Sequence, residues 1–249
     1  MKNKDNKDEA VVKALAKNIS PFKSRFHDAL WFENMNKLNV LILGSGGIGS
    51  WVTFILNRIG CKIYLYDMDV VEEHNLGGQM FKKHDVGKYK CDAIVNVCND
   101  FNDQNKIVTH NTRYDNSGLL LSTVISAFDN MASRKLAFEE WVNFVTQNPE
   151  FQSSAIFIDG RLLAEDYQVF AVTFNEKQIE EYRKNLFDDS EVAEVMCTLK
   201  STTHCSMAIA SEIVSLLTNH IANVTLGEEL RNVPFKIVKS IQSYQYTIE

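Results

Sequence analysis

A glycine-rich loop between an apolar strand pattern and a helical pattern constrains this chain more than any other feature. Residues 38–43 are apolar, the sequence GSGGIGS follows at residues 44–50, and a helical pattern continues to residue 59. A second apolar run, residues 62–66, ends at Asp67. Glycines allow a tight turn in which backbone N–H groups approach a phosphate at a helix N-terminus, and the acid can hold ribose hydroxyls. This order of strand, loop, helix, strand and acid predicts a nucleotide site, for either a dinucleotide or ATP.

Composition narrows the classes of protein. The chain has 249 residues, 45% of them hydrophobic, which is enough to bury a large core. Its net charge is −6 and it has no long basic run, so we expect no nucleic acid among its partners. No window approaches 18 consecutive apolar residues and the polar N-terminus has no signal-peptide core, so we expect no membrane span and a cytoplasmic location. The five cysteines form no C-x-x-C pair, so we expect neither a disulfide framework nor structural zinc.

From residue 38 onward, strand and helix patterns alternate. This order predicts an α/β, Rossmann-like fold with a mainly parallel sheet flanked by helices. Residues 157–173 contain two strand patterns around a short turn, which predicts an antiparallel extension, and the tail from Pro234 predicts an edge strand or hairpin. We divide the chain into an N-terminal helical segment, residues 1–37, and a nucleotide-binding domain, residues 38–249. Strands are predicted at 38–43, 62–66, 106–110, 123–128, 155–161 and 167–174, and helices at 9–17, 24–36, 50–59, 88–101, 130–146, 176–187 and 203–221.

The residues beyond Asp67 separate the two kinds of nucleotide site. They read DMDVVEEHNLGGQ at 67–79, DVGKYK at 85–90 and SAFDN at 126–130, with Arg134 following. This series resembles the ThiF/MoeB-type adenylyltransferases of the ubiquitin-activating enzyme superfamily, and a dinucleotide site does not require its second and third parts. The resemblance implies ATP and Mg²⁺ as cofactors. It implies nucleotide contacts at Gly44, Gly46, Gly47, Gly49, Asp67, Asp69, Asn75, Gln79 and Lys90, and catalytic roles for Asp129, Lys90, Cys197 and Arg25.

Each of these residues also has a structural interpretation. Asp129 follows an apolar strand at the sheet edge where such folds bind ligands, so its carboxylate can hold Mg²⁺, but it can also cap the next helix. Lys90 can pair with phosphate or be one more solvated lysine. Asn75 and Gln79 can contact phosphate or the loop, or serve only in a turn. Asp159-Gly160-Arg161 can line the site, but we interpret it as a strand-end turn.

The sequence departs from the family pattern at Gly78. The pattern N-L-x-R-Q has arginine there, and a guanidinium would bind phosphate oxygens in a bidentate manner that glycine cannot. Lys82 and Lys83 lie close by in sequence. The resemblance also implies an N-terminal arginine donated to the other subunit's site, for which Arg25 is the candidate, with a helix-surface arginine as the alternative. Arg134 can reach the site or pair on its own helix.

Cys197 is the candidate nucleophile. It lies in the polar connection at residues 188–203, before an apolar helix, and relatives of this type use a cysteine in a comparable segment. A thiol near a helix N-terminus and close to Lys200 and His204 is a better nucleophile. The alternative is a small, half-buried apolar residue.

Three functions from different classes follow. The first is ATP-dependent adenylation of the C-terminal carboxylate of a small ubiquitin-like or sulfur-carrier protein, or of a peptide, by a homodimer or heterodimer. The second is a catalytically degenerate scaffold or partner subunit with the same fold, which the glycine at position 78 allows. The third is an NAD-dependent oxidoreductase, favoured only by the glycine loop.

Overall fold

A single mixed sheet organises the molecule. The computed structural model describes residues 28–102, 106–115, 118–187 and 202–249. Within these residues eight strands form one sheet in the order β3-β2-β1-β4-β5-β6-β7-β8. The strands are β1 (Asn39–Leu43), β2 (Lys62–Tyr66), β3 (Ile107–His110), β4 (Thr123–Ser126), β5 (Ile156–Leu163), β6 (Asp166–Thr173), β7 (Lys236–Ser240) and β8 (Gln245–Ile248).

Helices connect the strands and cover the sheet. A turn at residues 28–31 precedes the first helix. The helices are α1 (Phe32–Lys37), α2 (Gly49–Ile59), α3 (Lys90–Asn99), α4 (Met131–Gln147), α5 (Glu176–Lys184) and α6 (Thr203–Leu226), with short 3₁₀ turns at Glu73–Gly77, Lys83–Asp85 and Pro149–Phe151.

The first five strands in the sheet order are parallel, so their carboxyl ends meet at one edge. Leu43 of β1 lies opposite Tyr66 of β2 and Ser126 of β4, and Ser126 lies opposite Asp159 of β5. The chain segments that follow β1, β2 and β4 therefore emerge side by side, which is where folds of this type bind ligands. From β6 onward the strands pair antiparallel. The predicted fold class, with its antiparallel extension, is confirmed.

Two apolar clusters, one on each face of the sheet, form the core. One contains the apolar sides of α2, α3 and α6, and Met35 of α1 joins it. The other contains α4 and α5 around the fully buried Phe138, Trp141 and Tyr182. Met35, on the N-terminal side of the proposed boundary at residue 37, is buried in the same core as the sheet. The boundary stays a prediction.

The long helix α6 belongs to this core. Within the described residues it is the one helix long and apolar enough to cross a membrane, and 61% of that stretch is buried. A core helix meets the same criteria, so this is weak support for a membrane segment, and the expectation of no membrane contact stays a prediction.

Most predicted elements are present within two residues or so at each end. The helix predicted at 88–101 is shorter and begins at Lys90, because Tyr89 forms a β-bridge with Val70 instead. The described part of the helix predicted at 24–36 is α1, and the helix predicted at 9–17 lies outside the described residues. The strand-end turn at Asp159-Gly160-Arg161 is wrong, because these residues lie inside β5 and continue its pairing with β6.

Candidate functional site

The glycines of the loop have two different structural roles. Gly44 has a φ of 98°, and a Cβ on it would meet the Ala127 carbonyl oxygen at 2.7 Å. A Cβ on Gly49 would lie 1.8 Å from the Gly44 carbonyl oxygen. Gly46 has nothing within 4 Å of the equivalent position. Gly44 and Gly49 are therefore required for packing, whereas Gly46 leaves an open approach to the backbone.

The first turn of α2 is available to an anion. Its N-cap residue is Ile48, and no side chain caps the helix. Gly46 and Gly47 precede it and are half-buried. The Ser50 hydroxyl donates to the Gly46 carbonyl at 2.7 Å, which fixes the turn from the inside. Because the first N–H groups of a helix lack intrahelical acceptors, this turn offers donors and a positive dipole end to a phosphate.

Asp67 holds the loop in place. Its carboxylate accepts from the backbone N–H of Ser45 at 2.6 Å and of Asp69 at 2.8 Å. Burial raises the pKa of Asp67 above its ordinary value, although these two donors and the nearby Lys90 oppose that shift. A carboxylate has about four acceptor positions, so two bonds to the loop leave capacity for a ribose hydroxyl.

A cleft opens at this sheet edge and brings together five of the predicted site residues. Its volume is about 470 Å³. The lining contains the carboxylates of Asp69, Glu72 and Asp129 and the ammonium group of one lysine, Lys90. The described lining therefore has an excess of negative charge. The lining residues are Met68, Asp69, Val70, Glu72, His74, Asn75, Gln79, Lys90 and Asp129.

Lys90 is not a solvated lysine. Its side chain is only 10% exposed, and its ammonium group donates to Asp69 Oδ2 at 2.8 Å. The backbone N–H of Lys90 also donates to the Asp69 carbonyl at 2.9 Å. An ammonium group has three N–H donors, so the Asp69 bond orients the group and leaves donors for a ligand.

Asp129 does not cap the helix that follows it. The N-cap of α4 is Asn130, whose Oδ1 accepts from the Ser133 N–H at 2.8 Å. The helix-cap interpretation of Asp129 is therefore wrong. Its exposed carboxylate lines the cleft and accepts from Asn130 Nδ2 at 3.3 Å. The capping role is filled by the neighbouring residue, and Asp129 stays available for a metal ion.

Asn75 and Gln79 differ in how they are used. Asn75 Oδ1 accepts from the Glu72 N–H at 2.9 Å within a capping box, so this oxygen serves turn chemistry. Gln79 Oε1 is buried and has no hydrogen-bond partner among the described residues. Gln79 also lines the cleft, so its oxygen is available to a ligand there, and the predicted contact of Gln79 with phosphate stays a prediction.

The backbone of Gly78 is bound by a side chain of α2, the helix that follows the glycine loop. Its carbonyl accepts from Trp51 Nε1 at 3.0 Å, and its φ is −135°, which any L residue adopts. Lys82, one candidate to replace the family arginine, instead pairs with Asp100 and does not line the cleft.

Arg134 and Asp159 form a buried pair that sequence reasoning missed. Arg134 Nε donates to Asp159 Oδ1 at 2.8 Å, and Arg161 Nε donates to Asp159 Oδ2 at 2.7 Å. Burial alone would raise the pKa of Asp159, but the two guanidinium groups outweigh it and hold that pKa below its ordinary value. The available signal was Asp159 and Arg161 two positions apart on a predicted strand, which places both side chains on one face.

Some predicted features lie outside the described residues. Arg25, Cys197 and Lys200 are among them. The four described cysteines are buried, and no disulfide bond joins any two of them. Among residues 28–102, 106–115, 118–187 and 202–249, no group of three or more His, Cys, Asp or Glu residues is arranged to hold a metal ion.

Comparison with known proteins assigns the chain to a family. The model of the ThiF family matches residues 17–243. The chain belongs to the ThiF family. The resemblance inferred from the loop and the three segments after it is thereby confirmed.

The curated relatives match a short part of this ThiF family chain. Ubiquitin-like modifier-activating enzyme 5 from Dictyostelium discoideum is 36% identical over 81 residues, which is 32% of this chain and 21% of that enzyme. The enzyme of the same name from Arabidopsis thaliana is 36% identical over 72 residues, which is 28% of this chain and 17% of that enzyme. The match thus spans about a fifth of the length of these relatives.

Solved structures match over most of the chain. E. coli MccB, solved with ATP, superposes with a TM-score of 0.65 at 17% identity, covering 88% of this chain and 65% of MccB. PaaA superposes with a TM-score of 0.69 at 16% identity, covering 97% of this chain and 81% of PaaA. At these identities the likeness concerns the fold.

The two roles of the glycines lead to a paired prediction. Gly49→Ala lowers the unfolding temperature, because its methyl group would collide with the Gly44 carbonyl oxygen. Gly46→Ala leaves the unfolding temperature within about 2 °C, since a surface-type change costs about 0.5 kcal/mol or less, but weakens nucleotide binding by blocking the approach to the backbone. Thermal unfolding and calorimetric ATP titration measure the two effects. Equal stability of the two variants would contradict the packing role of Gly49.

Proposed function

We propose that this chain uses ATP and Mg²⁺ to adenylate the C-terminal carboxylate of a small ubiquitin-like or sulfur-carrier protein, or of a peptide. The observation that supports this most is the position of Asp129: it is free of the helix cap and shares a cleft with Lys90 and the orphaned Gln79 oxygen. The names of the relatives agree with this class. Ubiquitin-like modifier-activating enzymes are among the curated matches, and MccB has been solved with ATP and with MccA.

The proposed reaction is a single displacement at phosphorus. A carboxylate oxygen of the acyl substrate forms a bond to the α-phosphorus of ATP, and the bond from that phosphorus to the oxygen bridging to the β-phosphorus breaks. The products are an acyl adenylate and pyrophosphate, whose leaving oxygen carries the electron pair away. Such a step requires positioning and charge stabilisation rather than covalent chemistry by the protein.

The donor set suits Mg²⁺. This ion usually keeps several waters and binds through one or two carboxylates together with substrate phosphates, rather than through an all-protein cage. Asp129 brings one exposed carboxylate to the cleft, whereas the Asp69 carboxylate there is paired with Lys90, so a metal held by Asp129 and by phosphate oxygens fits that pattern. When bound, the ion would neutralise charge on the phosphates; Asp129 would hold it.

Other residues would bind the nucleotide directly. The open backbone at Gly46 and the uncapped first turn of α2 would receive phosphate oxygens. Asp67 would accept a ribose hydroxyl while still holding the Ser45 N–H. Lys90, oriented by Asp69, would donate to phosphate, and Gln79 would contact the nucleotide or the metal's waters.

The charge of the cleft favours a contribution from a second subunit. The described lining has three carboxylates and one lysine, whereas the triphosphate is itself strongly negative. The apolar side of α6 is buried within the protomer, so we do not assign it to a subunit interface. We therefore propose a homodimer or heterodimer in which Arg25 of one subunit supplies a cation to the other, with Cys197 as the acceptor of the acyl group. A cytoplasmic location is part of the same proposal.

Replacing the Asp129 carboxylate tests the proposal. Asp129→Asn abolishes metal-dependent ATP–pyrophosphate exchange, roughly a thousandfold loss, because removing a charge that holds the metal costs several kcal/mol of transition-state stabilisation. The unfolding temperature stays at the wild-type value, since Asn130 provides the helix cap. Asp166→Asn, an exposed carboxylate in the β5–β6 hairpin, is the matched control and keeps full exchange. Wild-type exchange by Asp129→Asn would remove the carboxylate from the mechanism.

The scaffold function is the second candidate, and Gly78 is the observation that favours it. With Lys82 engaged by Asp100, the described lining contains no replacement for the family arginine. The third hypothesis, an NAD-dependent oxidoreductase, has no comparable support, because membership of the ThiF family favours an adenylating enzyme.

Restoring arginine at position 78 separates the two candidates. The backbone there has a φ of −135°, so Gly78→Arg requires no left-handed conformation. A charged hydrogen bond contributes about 1.5–3 kcal/mol, which is roughly 10- to 150-fold in rate. We expect measurable wild-type exchange, and little gain from the arginine, because a partner's cation fills that place. Pyrophosphate exchange is measured with a candidate carrier present. ATP binding without exchange in both proteins would instead favour the scaffold.

A further inference from the structure

A buried charged cluster lies directly behind the segment that carries Asp129. Asp159 on β5 is fully buried, and the side chains of Arg134 and Arg161 are 8% and 13% exposed. Two guanidinium groups thus share one carboxylate in the interior. Burying charges costs free energy, and such clusters are often no more stabilising than apolar residues of the same size. We therefore ask what the arrangement of these three charged side chains does, other than stabilise the fold.

Arg134 connects three separate parts of the chain. From α4 it donates through Nε to Asp159 and through Nη2 to the Gly160 carbonyl at 3.0 Å. The same Nη2 donates to the carbonyl of Phe128, the residue directly before Asp129. The planar guanidinium is the side chain that can make these bonds at once, because its donors are fixed in a fork.

The residues on both sides of Asp129 are therefore fixed by hydrogen bonds. On its N-terminal side the Phe128 carbonyl is bound by Arg134, and on its C-terminal side Asn130 caps α4 through the Ser133 N–H. The hydrogen bonds of Arg134 go to Asp159, Gly160 and Phe128 rather than to the Asp129 carboxylate, so this carboxylate can line the cleft while the neighbouring backbone is fixed.

Asp159 and Arg161 in turn fix Arg134. Asp159 Oδ1 accepts from Arg134, and Oδ2 accepts from Arg161. Arg161 is itself anchored, because it stacks on the Phe170 ring at 4.4 Å and donates to the Asn185 carbonyl at 2.9 Å. The aspartate stays ionised at neutral pH, since its pKa is held below the ordinary value despite burial.

We propose that Arg134, oriented by Asp159, is the positioning residue for Asp129 and sets the strength with which the site holds Mg²⁺ on the nucleotide. This inference rests on the proposed function. It assigns Arg134 no contact with nucleotide or metal; Arg134 acts through the Phe128 carbonyl.

The test measures a metal effect on binding, so it does not depend on turnover. A non-hydrolysable ATP analogue is titrated calorimetrically with and without Mg²⁺, and the ratio of the two Kd values is the metal gain. Arg134→Lys loses the fork of donors and lowers the metal gain roughly 10- to 100-fold, the usual effect of removing a group that orients a metal ligand. Its affinity for the analogue without metal stays at the wild-type value, because the proposed role of Arg134 acts only through Asp129.

A second variant separates positioning from stability. The triple change Arg134→Met, Asp159→Leu and Arg161→Met replaces the whole cluster by apolar side chains, which is often neutral or stabilising. We expect it to unfold at or above the wild-type temperature and yet to lose the metal gain as Arg134→Lys does. A folded Arg134→Lys or triple variant with the wild-type metal gain would overturn the proposal.

Arg183→Met is the matched control. Arg183 joins α5 to α4 by two bonds to Glu139 at 2.9 and 2.7 Å, but it does not touch the segment before Asp129. The Arg183→Met variant loses an arginine–carboxylate pair that also involves α4. We expect this variant to keep the metal gain. A loss in this variant equal to that of Arg134→Lys would mean that any weakening of α4 suffices, and would overturn the specific role of Arg134.

Asp129→Asn distinguishes this inference from the proposed function. If it loses the metal gain while Arg134→Lys retains it, only the positioning role fails. If Asp129→Asn retains the metal gain, or the wild-type protein has none, the metal role of Asp129 fails and the positioning role fails with it.

Discussion

The site depends on the contact between the two ends of the glycine loop. Because Gly49 has no side chain, the start of α2 packs against the Gly44 carbonyl, at a position where a Cβ would be only 1.8 Å from the oxygen. This contact brings the helix N-terminus to the carboxyl edge of the parallel strands. Asp67 then binds the loop from β2, and Trp51 on α2 holds the Gly78 carbonyl. The position of one helix therefore determines both the turn proposed to bind phosphate and one wall of the cleft.

The cleft has an excess of negative charge, whereas the buried cluster behind it has an excess of positive charge. The described lining places Asp69, Glu72 and Asp129 around Lys90, whereas the buried cluster combines Arg134 and Arg161 with Asp159 alone. The hydrogen bonds of the buried arginines go to carbonyls and to Asp159, so we expect these arginines to order the site rather than to bind phosphate. Under the proposed function, Lys90, a metal ion and cations from outside the described residues would neutralise a triphosphate, which is why ATP affinity and metal affinity are expected to depend strongly on each other.

The sequence predicted the fold well, because the fold follows from local patterns. Strand periodicity, the glycine loop and the acid at Asp67 determine where the parallel strands end, and five of the candidate site residues line the cleft at that edge. The choice of helix cap was less accessible: Asp129 and Asn130 are adjacent and both cap helices well, so only the structure selects Asn130. The Arg134–Asp159 pair joins residues 25 positions apart. Its detection requires the packing of α4 on β5.

We propose above all that Asp129 holds the metal on ATP in this cleft. The most direct measurement is a crystal structure with a non-hydrolysable ATP analogue and Mn²⁺ in place of Mg²⁺, in which the metal is located by its anomalous scattering. We expect phosphates at the Gly46 backbone and the first turn of α2, and a metal peak at roughly 2.0–2.2 Å from an Asp129 carboxylate oxygen. Phosphates in that turn with a metal bound elsewhere, or a nucleotide outside the cleft, would contradict it.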